Sequence, residues 1–251
     1  MPSRLFRGVV VGTAAFLTLV LAAWSTAQAE ALVLEELPKE LHRLPLVFRE
    51  DFESANSNHW LMSDPKAWQV LPHRKNHVLC LTKQSLVKTS IVSPANRALI
   101  KDLYLSDCVI DVRMQATNRD FHNRDLCVFL GYQDPKHYYY VHLSKKADKE
   151  SNQIFIVEDA NRAVIEGSET MTSGTNWDDS WHHVRVVRKL NEGLILVYFD
   201  DMDKPTMKAI DKTYKWGQVG VGSFDHKGEF DNVFIYGIKE LPPIDRRVVV
   251  P

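Results

Sequence analysis

A chain of 251 residues, 45% of them hydrophobic and with 31 lysines and arginines against 32 acids, has the length to bury a sizeable core. Its formal charge of −1 excludes a nucleic-acid-binding surface built on basic excess. Only one long apolar run occurs, at the N-terminus, which excludes a protein that crosses a membrane several times through helices.

That first run reads as a processing signal. Arg4 and Arg7 form a positive head, residues 9–24 an apolar stretch, and Ala27-Gln28-Ala29 a small-x-small cleavage site, so residues 1–29 are predicted to be a signal peptide. The stretch is shorter than the roughly 20 apolar residues that span a bilayer, with a retained anchor as the alternative. No cysteine stands near the cleavage site to carry a lipid, and the two arginines are not adjacent as a twin-arginine route requires. Cleavage leaves 29 basic residues against 32 acidic ones, a net charge of −3, and no membrane span. The expected location is therefore export, periplasmic or extracellular.

Residues 30–45, charged and leucine-rich with Pro38 and Pro45 as breakers, read as a linker. A strand at 46–53 (LVFREDFE) opens the domain. A turn-rich loop follows, with Trp60, Trp68 and Val70 as anchors. Short strands are predicted at 78–81 and within 84–94, and a turn or so of helix around 96–103. Over 106–116 the alternation is clear: Cys108, Ile110, Val112 and Met114 share one face, and Asp107, Asp111, Arg113 and Gln115 the other. Strands at 124–132, 137–144, 153–158 and 162–166 follow, with turns at Asp134-Pro135 and 159–161. Further strands at 182–189, 194–200, 218–224 and 231–237 complete the domain, with turns at 189–193 and 200–205, and residues 241–251 form a tail. Short strands at 8–12-residue spacing with turn signals between them predict an all-β sandwich or barrel. One domain over 46–240 accommodates them.

Cys80, Cys108 and Cys127 are an odd number for an exported protein, and each lies in an apolar strand. Three buried thiols are expected, with a Cys108–Cys127 bridge plus one thiol as the alternative.

An opening DFE followed by Trp60 and Trp68, then GYQDPKHYYYVHL (131–143), WHHVRVVR, VYFDD and FDNVFIYG, resembles the concanavalin A-like lectin/glucanase superfamily, above all its LamG-type and 3-keto-disaccharide hydrolase-like domains. The likeness covers about residues 46–240. It implies a two-sheet antiparallel jelly roll whose concave face holds carbohydrate. It also implies a structural Ca²⁺ that joins the first strand to the last, with Asp231, Asp51 and Glu53 at the matching positions. A turn-capping role is the alternative for Asp231. The superfamily's family-16 glycoside hydrolases carry Glu-x-Asp-x-x-Glu, which places two carboxylates on one face of a strand. That motif is absent, and Glu50-Asp51-Phe52-Glu53 has the wrong spacing.

The remaining candidates come from the residues themselves. Alternation along 137–144 puts Tyr138, Tyr140 and His142 on one face, a platform of rings and hydrogen-bonding tips suited to a sugar. A cross-strand aromatic ladder would give the same pattern. Asp125, beside His142 across the ladder, would form a carboxylate–imidazole pair, usable as a general base if it opened on a cleft or as a buried register pair if it did not. His122, His137, His142, His182, His183 and His226 show no zinc spacing. His182 and His183 are expected on the sheet surface, and Asp200-Asp201-Met202-Asp203 in a hairpin turn because the twelve-residue calcium pattern is missing. Trp177 and Trp216 could line a binding rim. The function these features predict is an exported glycan-binding, adhesion or scaffold module. The alternative is a carbohydrate-active hydrolase with Asp125 and His142 as a non-standard acid/base pair.

Overall fold

A computed structural model describes residues 43–121 and 124–241. The predicted signal peptide, most of the linker and tail, and His122 lie outside the described residues. From Leu44 onward the chain forms one unit by its contacts, and the description concerns that unit.

Fifteen strands follow in chain order. They are β1 (Leu46–Glu50), β2 (Trp60–Met62), β3 (Trp68–His73), β4 (Asn76–Leu81), β5 (Asn96–Ala116), β6 (Asp125–Asp134), β7 (His137–Ser144) and β8 (Gln153–Glu158), then β9 (Ala163–Val164), β10 (Glu169–Thr170), β11 (His182–Lys189), β12 (Leu194–Phe199), β13 (Met207–Ile210), β14 (Gly217–Ser223) and β15 (Gly228–Glu240). Among the described residues, a 3₁₀ turn at Pro65–Ala67 interrupts them and no helix is long and apolar enough to cross a membrane.

All pairings are antiparallel, and the ladder is continuous through β5, which serves two layers. Its first half pairs with β2 and β14; its second half pairs with β11 and β15. Asp102, with φ 53°, lies where the partners change. One layer runs β2-β5-β14-β6-β7-β8-β9. The other runs β10-β13-β12-β11-β5-β15, with β1 and β4 on the far side of β15. The result is a curled all-β sandwich.

Period-two alternation builds the core between the layers. Val128, Leu130, Val141 and Val221 from one layer meet Ile110, Val112, Val184, Val197 and Ile235 from the other. Each such side chain contributes about 1.5–3 kcal/mol when fully buried. The glycines of β14 follow from close packing: a Cβ at Gly222 would overlap the carbonyl of Asn96 on β5.

The other face of β6, β7 and β8 carries a second apolar cluster, Phe129, Tyr132, Tyr138, Tyr140, Phe155 and Val157, against which Ile91 and Val164 pack. Two expectations are corrected here. Residues 96–103 are strand, not helix: Ala98 and Ile100 enter the main core while Leu99 enters the second cluster, and burial on both faces removes the alternation that marks a strand. Residues 84–94 contain no strand, because side chains take their backbone donors: Ser85 N–H donates to Asn96 Oδ1 (2.7 Å) and Val92 N–H to Asn161 Oδ1 (2.8 Å).

All three cysteines are buried free thiols. Burial pushes Cys80 and Cys108 up to about 12, and Cys127 well above its ordinary value. The thiolate is the reactive form, so the folded protein at pH 8 is expected to be inert to a disulfide reagent such as DTNB, with all three thiols reacting in denaturant. A fast-reacting thiol in the folded state would contradict this packing.

Candidate functional site

Titratable groups converge where β6 begins, β7 ends and the chain turns from β14 to β15. The β6–β7 register places Cys127 opposite His142 and Asp125 opposite Ser144, so Asp125 and His142 are diagonal neighbours on one face. His142 Nε2 lies 3.1 Å from Asp125 Oδ2. The same carboxylate organises the turn after β14. Phe224 N–H donates to its Oδ2 at 2.9 Å, and His226 Nδ1 meets its Oδ1. His226 Nδ1 also lies 3.0 Å from Asp225, and the backbone N–H of His226 donates to Ser223 Oγ at 2.6 Å.

Arg162 crosses this corner from the loop before β9. Its guanidinium lies over the Phe224 ring at 4.3 Å and the Phe155 ring at 4.7 Å and donates to Tyr140 Oη at 2.9 Å. The His142 ring stacks on Phe224, and its Nδ1 lies 3.1 Å from the Glu150 carbonyl oxygen. Together Asp125, His142, Glu150, Arg162, Phe224 and His226 line a cavity of about 280 Å³, with Phe121 and Asp148 at its margin.

The electrostatics follow from one buried charge. Burial alone would raise the Asp125 carboxyl, but hydrogen bonds and charge from His142 and His226 outweigh it and hold the group well below the usual carboxylate range. Burial likewise opposes the His226 imidazolium, yet Asp125 and Asp225 raise its pKa to about 9. A carboxylate held this low is itself a weak proton acceptor and is suited to orienting and charging the two imidazoles it contacts.

The expected residues fall as follows. Tyr138 and Tyr140 do share a face with His142, but both are fully buried in the second cluster, which corrects the open aromatic platform. Tyr140 acts through Arg162, which its hydroxyl positions. Trp177 is also buried, its Nε1 donating to the Leu143 carbonyl at 3.0 Å, and forms no rim. Trp216 is half-buried against Tyr104. His182 lies inside, stacked on Phe199 between Asp178 and Asp200, not on the surface. Asp200 and Asp201 sit at a turn beside a larger cleft of about 570 Å³, where their carboxylates accept from the backbone N–H groups of His183, Asp203 and Lys204.

At the seam of β1 and β15, Asp231 is buried. It accepts from Asn76 Nδ2 at 2.7 Å and from the Asn232 N–H at 2.7 Å. Asp51 accepts from the Glu53 N–H, and Glu53 from the His77 N–H. Among the described residues, the groups of three His, Cys, Asp or Glu side chains with ligand atoms within 4.8 Å of one another both contain Asp125. The Asp231, Asp51 and Glu53 side chains do not converge to that degree.

Arg162, Phe224, Asp225 and the role of His226 escape sequence reasoning, since His226 meets Asp125 across 101 residues of chain. The one local signal is the polar Asp225-His226 pair directly after a glycine-rich strand.

No protein-family model matches the chain, and no curated protein matches it. Solved structures do. The chain is similar to the carbohydrate binding module CBM66 from Bacillus subtilis, at 15% identity and TM-score 0.51, over 72% of this chain and 98% of that one. It is similar to domain 4 of AbnA, a GH43 extracellular arabinanase from Geobacillus stearothermophilus in complex with arabinotriose, at 10% identity and TM-score 0.50, over 79% and 95%. It also matches xylan β-1,4-xylosidase from Bacillus halodurans C-125, at 14% identity and TM-score 0.51, over 76% of this chain and 39% of that longer one. At these identities the likeness is one of fold alone, that of an antiparallel β-sandwich.

Proposed function

We propose that this chain is an exported glycan-binding module with the Asp125–His142–Arg162 pocket as its ligand seat. The observation that carries the reading is the composition of that pocket. Carboxylates, imidazoles and a guanidinium converge between the Phe121 and Phe224 rings at the edge of a lectin-type sandwich. Such groups suit vicinal hydroxyls and the apolar faces of sugar rings. Arg162 is pre-positioned by Tyr140 and its two ring contacts, which lowers the entropy lost on binding. The predicted signal peptide supports export, and sandwiches of this shape include modules that bind carbohydrate.

Retention on at least one polysaccharide of a broad plant and microbial panel is the expected result. Arg162→Ala and Phe224→Ala should each weaken it by tenfold or more with the fold intact, while Lys204→Ala at the larger cleft leaves it unchanged. Absence of retention across the panel, or retention indifferent to Arg162→Ala, would remove the reading. A hydrolase that uses Asp125 and His142 is the second reading, supported by their 3.1 Å approach. It requires new reducing ends in the same incubations and their loss in Asp125→Asn.

A structural Ca²⁺ between Asp231, Asp51 and Glu53 belongs to the same proposal. Burial, opposed by hydrogen bonds from Asn232 and Asn76 and reinforced by the charges of Glu53 and Asp51, raises the Asp231 carboxyl to about 6. A carboxyl raised on folding contributes stability that is fully present below its unfolded value and lost as pH rises through about 6. A bound dication would recover that loss. Millimolar Ca²⁺ is therefore expected to raise the melting temperature at pH 7.5 more than at pH 5, with EDTA reversing the gain. Equal melts with Ca²⁺ and EDTA would dismiss the ion.

A further inference from the structure

We propose that the seat at Asp125 is one end of a longer groove, whose second subsite is the trough on the other side of residues 117–121. The ligand is then a chain of several sugars rather than a single ring. This inference rests on the glycan reading and names the form of glycan it takes.

The trough is an open cavity of about 520 Å³. Thr117, Asn118, Arg119 and Asp120 line it, whereas Phe121, the next residue, lines the cavity at Asp125. The same division recurs at the start of β6: Arg124 belongs to the trough, and Asp125 beside it in the chain to the seat. Successive side chains of an extended chain point to opposite sides, so one stretch of backbone presents a wall to each cavity. The turn before β15 braces that stretch. Thr117 N–H donates to the Lys227 carbonyl at 3.1 Å, and Lys227 N–H to Asn118 Oδ1 at 2.6 Å. Asp225 and His226 of the same turn line the seat.

The trough offers both hydrogen-bond roles. Arg124 is 1% exposed and is fixed by donating to the Asp178 carbonyl at 2.8 Å, to the Asn118 carbonyl and to Asp179 Oδ1 at 2.8 Å. Its Nε, a donor, and Gln115 Oε1, an acceptor, have no hydrogen-bond partner among the described residues, which in a cavity wall points to one from outside the chain. The carboxylates are balanced: Asp120 by Lys145 at 2.7 Å, Asp179 by Arg124, and Glu229 by His73 at 2.9 Å. Arg119 is exposed and enters none of these pairs, so its planar fork of donors suits vicinal hydroxyls at the rim. The half-buried His73 ring, edge-on to Trp181 at 5.8 Å, adds an apolar surface for a sugar face.

Size decides between a single sugar and a chain. The seat, at about 280 Å³, falls just below the roughly 300–1,000 Å³ of a pocket for a drug-sized ligand, and so takes about one ring. The larger trough brings the pair well inside that range. A ligand that fills both is one molecule, so the second set of contacts adds to the first without a second loss of translational freedom.

The test measures, by calorimetry on the full chain, the affinity for cello-, xylo- and arabino-oligosaccharides of one to six units. In the series that binds, affinity is expected to rise at least tenfold between the shortest member bound and the length that reaches the trough. Thr117→Ala combined with Arg119→Ala, both at exposed positions, should remove that gain and leave the shortest member within twofold. Arg162→Ala should weaken every length. Affinity independent of length, still weakened by Arg162→Ala, overturns the second subsite and keeps the seat. A gain with length that the double variant leaves within twofold overturns the subsite too. No binding at any length in any series removes the glycan reading and the subsite with it.

Discussion

Asp125→Ala is expected to destabilise the fold by about 3–5 kcal/mol, the range seen when one partner of a buried charge network is removed. The carboxylate is 1% exposed, and it ties β6 to the β14–β15 turn through the Phe224 N–H and His226. Alanine leaves that backbone donor without its acceptor and His226 with Asp225 alone. Against a total stability of about 5–15 kcal/mol, the loss should appear as a large fall in the urea midpoint with an unchanged slope. Asp125→Asn keeps the volume and part of the acceptor capacity, so its loss should be smaller. A deficit under about 1 kcal/mol for alanine would mean that the turn is held by other contacts.

The second large effect is expected at Asp111, on the outer side of the other layer. Arg185 and Asp111 are directly opposed on β11 and β5, and Arg185 Nε donates to Asp111 Oδ2 at 2.6 Å, with the guanidinium 1% exposed. His183 Nε2 meets the other carboxylate oxygen. Asp111→Ala takes a directly opposed carboxylate from a buried guanidinium and should also cost about 3–5 kcal/mol. Adding Arg185→Met removes the buried charge at similar volume, so the double variant should recover part of the loss. Strictly additive losses would show that the pair is not coupled.

Much of the architecture was legible because alternation reports burial on one face. The predicted strands at 137–144, 153–158 and 182–189 coincide with β7, β8 and β11, where one side of the strand packs in the main core. Legibility failed where that premise failed. Residues 96–103 are apolar on both faces, and the donors of 84–94 are taken by side chains brought from Asn96 and Asn161. The diagonal Asp125–His142 pair could be read because two strands joined by a tight turn set their register locally. The closing of Tyr138 and Tyr140 could not, since the cover over them comes from loops distant in the chain.

By itself the sequence determined the all-β class, most of the strand positions and which alternating side chains share a face, because these depend on period and on turns a few residues long. The tertiary structure alone decided that Asp125 is the hub of the site. Its partners Arg162, Phe224 and His226 arrive through contacts 37 to 101 residues away in the chain, and no local pattern encodes the curl of β5 and β14 that brings them to one corner.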